Sequence, residues 1–240
     1  MLRLRQIAMV APDLAAVEAQ VGRIAGVDVC YRDPGVGKYS LHNALWALGG
    51  TFLEALAPTQ PDTTAGRYMA RRSGATGYMV ILDSSDLDAV RARLAAQNVR
   101  IVEDLTVGDA ALHATALHLH PRDTGGCLLS IDGHGPDSAM LGSYMWAGPS
   151  WHRHASADLA ITGAGMTCDD PAATAARWSA ILDRPALPHG AGWRITLDQG
   201  TLDFTAVTEP RGEGLAAIRL TGLANPARIC GLDLLPEHDQ

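Results

Sequence analysis

The alternation of hydrophobic and polar residues repeats one pattern three times: an apolar strand, a capping aspartate and an amphipathic helix. The helices are predicted from apolar residues at three- and four-residue spacing after Asp13, Asp86 and Asp170. The copies read QIAMVAPDLAAVEAQVGRIAGV, MVILDSSDLDAVRARLAAQNV and AITGAGMTCDDPAATAARWSAIL. A unit of this size cannot bury its own apolar face, so the copies are expected to pack together.

After each helix the pattern changes to short strands, which predicts three βαβββ modules. The predicted strands are VDVCYRD, HNALWALGG and TFLEALAP in the first module, RIVEDLTV, TALHLHP and GCLLSID in the second, and WRITLDQ, GTLDFTAV and LAAIRLTGL in the third. We therefore predict paired modules over 1–133 (1–60 and 76–133), a connector over 134–158 and a third, degenerate module over 159–240.

The amino-acid composition limits the kinds of molecule that the chain is expected to bind. The chain has 240 residues, of which 47% are hydrophobic and 19% charged, as is typical of a soluble globular protein. The net charge of −7 comes with no basic cluster, which argues against nucleic acid and anionic membranes and favours a small-molecule ligand. Pro12 and Asp13 interrupt the apolar N-terminal stretch, so neither a signal peptide nor a membrane span is expected, and the cytoplasm is the expected location.

Two sequence motifs carry a resemblance. The first strand has the form L-x-[H/Q]-I-A-x-x-x-x-D-L, and a later strand ends in G-x-x-[I/L]-E at Glu54. Together with the tandem βαβββ pattern they resemble the vicinal oxygen chelate superfamily, and longer phrases such as GVGKYSLHNALWALGGTFLEALAPTQ resemble its glyoxalase-like branch. The resemblance implies an α+β fold in which two modules form a cupped, half-open mixed β-barrel with helices outside, plus the third related module.

The resemblance also implies where a metal would bind. Its first-module positions are Gln6 and Glu54, which strand alternation places on the cavity side, and their oxygens suit Mg, Mn, Ni, Zn or Fe. The second module has Met79 and Ser130 at these positions. The third module has Gly163 and Ile218 there. The expected metal site is therefore at best half present, and a chain without any metal is the alternative.

Two histidines are candidates to replace the metal ligands that the second module lacks. His118 and His120 flank Leu119 on a predicted strand, so both imidazoles are expected on one face. If that face lines the cup, Glu54 and His118 are the candidate catalytic groups, and Gln6, Glu54 and His120 are the candidate metal ligands; a metal-free acid–base pair stays open. Structural alternatives also stay open. The histidines could face solvent or the helices, or help hold the PRDTGG turn; Gln6 could bond only to Glu54; and Glu54 could pair with one of two arginines, Arg32 or Arg122. Two further polar residues are interpreted as turn formers. Asn43 resembles a recurring position of the glyoxalase-like branch but stands at a strand start, and Asp132 shares the strand face of Ser130 but adjoins Gly133.

Two functional classes follow from the resemblance. One is a glyoxalase-like enzyme, a metal-assisted lyase or isomerase or a dioxygenase relative, acting on a small oxygenated substrate. The other is a bleomycin-resistance-like protein that binds a small molecule without catalysis and has lost the metal. Because an odd third module leaves an uncovered sheet edge, a homodimer through that module is expected.

Overall fold

The computed structural model describes residues 1–237 and contains five α-helices and fourteen strands. The helices are α1 (Leu14–Ala25), α2 (Thr64–Arg71), α3 (Leu87–Ala96), α4 (Pro121–Thr124) and α5 (Pro171–Leu182). The strands are β1 (Leu2–Val10), β2 (Leu41–Leu48), β3 (Thr51–Pro58), β4 (Thr76–Ser84), β5 (Ile101–Gly108), β6 (His113–Leu119), β7 (Leu128–Gly135), β8 (Ala160–Cys168), β9 (Ala186–His189), β10 (Gly192–Thr196), β11 (Thr201–Ala206), β12 (Gly214–Thr221), β13 (Ala227–Ile229) and β14 (Leu232–Pro236). None of the helices in residues 1–237 is long and apolar enough to cross a membrane.

The first two modules share one curled sheet, which we call sheet A. Its seven strands lie in the order β2-β3-β1-β4-β7-β6-β5, with β1 and β4 antiparallel at the centre. Each repeated helix begins where the sequence predicted: the carboxylates of Asp13, Asp86 and Asp170 accept hydrogen bonds from backbone N–H groups of the first helical turn. The cupped α+β fold is confirmed.

The segment VDVCYRD was expected to be a strand, and this expectation is wrong. Only Tyr31 forms an isolated bridge, to Leu45 on β2. The pairing stops because the Asp33 side chain accepts from the Gly35 N–H and caps a 3₁₀ helix over Pro34–Tyr39, whose proline has no N–H to donate to a sheet.

The third module lies in a second sheet, sheet B, and its last predicted strand was misassigned. Sheet B has the order β13-β14-β12-β8-β11-β10-β9. The segment LAAIRLTGL forms β12, which pairs antiparallel with β8 and parallel with β14, so it begins a fourth unit that lacks a helix. Ile218 therefore does not occupy the expected position: Gly165 pairs with Asp203 as Ala8 pairs with Glu54.

This pairing changes the argument for assembly. The third module is not left with a half-sheet, because β12, β14 and β13 extend sheet B to seven strands. The homodimer therefore stays a prediction, but the argument from an incomplete third module no longer supports it. The last three residues of the expected module, 238–240, lie outside the described residues. One continuous core joins both sheets to α1, α3 and α5, with Trp178 of α5 and Ile7 of β1 fully buried in it.

Candidate functional site

The face of sheet A opposite this core, which we call the inner face, carries the expected site. Ala8 pairs with Glu54 across β1 and β3, and Ile81 pairs with Ser130 across β4 and β7, so the equivalent positions of the two modules lie on one concave surface. His118 pairs with Ser130 and shares that face. The structure thus brings Gln6, Glu54 and His118 onto one surface.

Gln6 and Glu54 form a closed hydrogen-bond network. The Gln6 amide donates to Glu54 Oε2 at 2.8 Å and the Asn43 amide donates to Oε1 at 2.6 Å, while the Tyr144 hydroxyl donates to Gln6 Oε1 at 2.6 Å. Asn43 is thus a site residue rather than the expected turn former. Glu54 forms no ion pair within residues 1–237, and Arg32 instead pairs with Glu18. Burial raises the pKa of Glu54 to about 7, even though the two amide hydrogen bonds lower it.

The donor set does not fit a divalent ion. Both carboxylate oxygens of Glu54 and the Gln6 oxygen already accept hydrogen bonds. In the second module the positions equivalent to Gln6 and Glu54 hold only the Met79 thioether and the Ser130 hydroxyl. Within residues 1–237, no three His, Cys, Asp or Glu side chains come close enough together to hold a metal. Two protein ligands fall short of the three or more that catalytic metal sites use.

The two histidines do not share a strand face. Strand β6 ends at Leu119, and His120 becomes the N-cap of α4, where its Nδ1 accepts from the Arg122 N–H at 3.1 Å. This capping bond takes the imidazole away from the inner face, contrary to the expectation from alternation. Arg122 is thereby tied to the same turn and does not pair with Glu54.

His118 belongs to a cluster at the edge of the inner face, which we call the rim cluster. Its Nδ1 lies 3.4 Å from Glu103, which also accepts from Lys38 Nζ at 2.6 Å and from the Tyr39 hydroxyl. Partial burial lowers the pKa of His118. The rim cluster joins the 3₁₀ helix of the first module to β5 and β6 of the second, so it bridges the concave surface.

A second buried carboxyl group lies on β7. Asp132 accepts from the Trp146 indole N–H at 2.8 Å and from the Ser130 hydroxyl, and burial raises its pKa to about 7. Sequence reasoning missed it because the neighbouring Gly133 suggested a turn. The period-two alternation from Ser130 is the signal that points to it.

Sequence reasoning also missed two buried arginines. A β-bulge between Leu4 and Gln6 turns both Arg5 and Gln6 toward the inner face. Arg3 donates to Asp83 at 3.0 Å, Arg5 lies 3.4 Å from the same carboxylate, and His134 Nδ1 is 3.0 Å from it. The available signal is the pair of arginines in the otherwise apolar strand LRLRQIAMV, which requires a buried anion.

Residues 139–151 of the connector, which we call the strap, cover one half of the inner face. The Tyr144 ring stacks on Phe52 with centroids 4.1 Å apart, and Trp151 meets Phe52 edge-on at 5.0 Å. The other half is lined by aliphatic residues and covered by α2. These inward residues are nearly buried, with only 6–8% of their area exposed: Leu41, Glu54, Leu56, Met79 and Ile81.

The paired βαβββ modules and the inward Gln6 and Glu54 define a protein of the vicinal oxygen chelate type. More specifically, the chain belongs to the glyoxalase-like domain family, whose model matches residues 7–182. No curated protein matches the sequence.

Two solved structures share the fold at low sequence identity, and a third matches part of the chain. A hypothetical protein from Staphylococcus aureus is 12% identical, with 99% of this chain and 100% of that chain covered and a TM-score of 0.71. A mutant 4-hydroxymandelate synthase from Streptomyces coelicolor is 12% identical, with coverage of 91% and 70% and a TM-score of 0.64. Methylmalonyl-CoA epimerase from Mycobacterium tuberculosis is 23% identical, covers 56% of this chain and 89% of its own, and has a TM-score of 0.48.

Proposed function

We propose that this chain is a small-molecule-binding protein whose inner face on sheet A takes a ligand with an apolar body and one hydrogen-bonding group, without a resident metal. The observation that carries the proposal is the aliphatic surface of Met79, Ile81, Leu41 and Leu56 beneath α2, which is 6–8% exposed and adjoins the carboxyl group of Glu54. Small-molecule sites are mostly apolar, with few polar groups that fix orientation. A carboxyl group with a pKa of about 7 can donate or accept that bond near neutral pH.

The proposal is tested with the neutral fluorescent probe N-phenyl-1-naphthylamine. We expect saturable binding to the wild type and at least about a fivefold loss of affinity in Met79→Trp, because the indole fills the surface. The matched control is Ala217→Trp, since Ala217 pairs with Gly165 on sheet B as Met79 pairs with Ala8 on sheet A. Equal binding by both variants, or none by the wild type, contradicts the proposal.

A second candidate is metal-free proton transfer by Glu54 as a lyase or isomerase. It is favoured by the Glu54 pKa of about 7, which suits a general acid or base at neutral pH, and by His118 on the same face. The test follows deuterium exchange next to the carbonyl of a panel of 2-hydroxy and 2-oxo compounds by NMR, first without and then with EDTA. Exchange that persists in Glu54→Gln, or that stops on adding EDTA, rules this candidate out.

A further inference from the structure

The strap half of the inner face contains buried basic side chains with nitrogen atoms that lack hydrogen-bond partners. Arg5 is fully buried; its Nε lies 3.4 Å from the Asp83 carboxylate without forming a hydrogen bond, and its Nη2 has no hydrogen-bond partner within residues 1–237. The same is true of His134 Nε2. Unpartnered buried polar atoms are rare and call for a ligand, an ion or a water molecule. Both side chains adjoin the Tyr144 ring, the Arg5 guanidinium carbon at 4.8 Å and the His134 ring at 4.6 Å.

Charge in this region is also unbalanced. Arg3 and Arg5 share one ionised carboxylate, that of Asp83, whose pKa is held low by His134 and both arginines although burial raises it. Desolvation lowers the pKa of Arg5 only to about 10, so it stays cationic. The strap supplies the Met140 carbonyl, 2.5 Å from Arg5 Nη1, as a partial substitute for an anion. A buried excess cation is costly, so the position favours a negative group.

We propose that Arg5 is an anion-binding position covered by the strap, and that the ligand of the inner face carries a carboxylate or phosphate group that binds Arg5 when the Tyr144 side chain moves aside. This inference rests on the proposed function. Tyr144 now holds the place of that ligand: its ring stacks on Phe52 and its hydroxyl donates to Gln6. The expected ligand therefore has an apolar, preferably planar, body and an anionic end.

The test compares phenylacetate with its neutral isostere phenylacetamide by calorimetry at pH 6, where Glu54 and Asp132 are mostly protonated. In Tyr144→Ala we expect phenylacetate to bind about tenfold more tightly than phenylacetamide, and more tightly than in the wild type. The preference is expected to disappear in Tyr144→Ala/Arg5→Met. The control is Tyr68→Ala, which removes a tyrosine from the aliphatic half and is expected to create no preference.

If the variant with Arg5→Met does not fold, a second measurement that keeps Arg5 tests the same proposal. In Tyr144→Ala labelled with ¹⁵N-arginine, phenylacetate but not phenylacetamide should shift the Arg5 Nε–H resonance. Equal affinity for the two compounds, or an unshifted resonance, overturns the anion position. If those results are negative but the wild type still binds N-phenyl-1-naphthylamine, only this inference fails. If the wild type does not bind N-phenyl-1-naphthylamine either, the proposed function is refuted as well.

Discussion

Glu54 on sheet A and Asp203 on sheet B occupy equivalent positions in the repeated unit, yet their surroundings give them opposite acid–base properties. Glu54 accepts from two neutral amides, and burial raises its pKa to about 7. Asp203 accepts from Arg194 at 2.6 and 3.0 Å and from Arg219; although burial alone raises its pKa, these arginines outweigh burial and lower it. The repeat thus places a carboxyl group, and the neighbouring strands decide its protonation.

The two sheets also differ in how fully the rest of the protein shields these positions from solvent. The inner face of sheet A lies under α2 and the strap, and the Arg3 and Arg5 side chains are 1% and 0% exposed. The arginines beside Asp203 keep 22% and 29% of their side-chain area exposed. A charge removed from sheet A therefore leaves partners out of water, whereas solvent can compensate in sheet B.

The largest expected difference concerns carboxylates that bind arginine pairs. Asp83→Ala leaves Arg3 and Arg5 buried without an anion and should lower the free energy of unfolding by about 3 to 5 kcal/mol. The matched Asp203→Ala should cost only about 1 to 2 kcal/mol, because its arginines are partly solvated. Urea unfolding at pH 7.5 measures both, and equal losses would mean that the cover over sheet A has no energetic effect.

The next effect is on pH dependence. The folded-state pKa of Glu54 is raised, so its contribution is most favourable below the unfolded value of 4.5 and is lost as pH rises to about 7. We expect Glu54→Gln to remove a decline of about 2.5 kcal/mol in the free energy of unfolding between pH 5 and pH 8. Asp203→Asn is the control: the pKa of Asp203 is lowered from 3.8, so its contribution is lost only in more acidic solution. An unchanged slope in Glu54→Gln contradicts the assignment.

A smaller effect is expected from single hydroxyl groups. Tyr144→Phe removes the buried bond to Gln6 and should destabilise the protein by about 1 kcal/mol. The sheet-B control is Thr162→Val, which removes an exposed bond to Glu237 and should change stability by less than about 0.5 kcal/mol. The two losses are compared from the midpoints of urea unfolding, provided that the dependence on urea concentration is unchanged. A larger loss in Thr162→Val than in Tyr144→Phe would contradict burial of the strap contact.

The smallest effect on stability is expected at the rim cluster. Lys38→Met removes a partly exposed ion pair with Glu103 and should cost about 0.5 kcal/mol or less. Because the rim cluster bridges the inner face, the same change should speed association of N-phenyl-1-naphthylamine in stopped-flow measurements. Sheet B has an exposed ion pair between Arg228 and Glu209 as the control, and Arg228→Met should leave this rate unchanged.

The repeated helices and the inner-face positions were accessible from sequence because they rest on local rules. Capping aspartates and strand alternation correctly placed α1, α3 and α5, and brought Gln6 and Glu54 to one face. The misassigned strand β12 shows the limit. Its composition fits the last strand of the third module equally well, and only pairing with β8 distinguishes the two arrangements.

The partners of the site residues were not accessible, because they come from distant parts of the chain. Tyr144 reaches Gln6 across 138 positions, and Met140 reaches Arg5 across 135. A bulge, which shifts alternation by one residue, turned Arg5 to the inner face. At His120 the error has a local cause. Strand alternation was extended one residue beyond the end of β6, where a capping bond fixes the imidazole instead.

The helix missing from the fourth unit has a consequence for how the chain unfolds. Helix α1 of the first module packs near β13, and Val21 and Ile24 line a small apolar cavity together with Leu223 and Ile229 of the fourth unit. One helix thus shields apolar residues of both sheets, so neither half of the chain keeps a complete interior when separated from the other. The protein should melt in a single cooperative transition, and a cut between the two halves should leave two insoluble fragments that regain structure only when mixed.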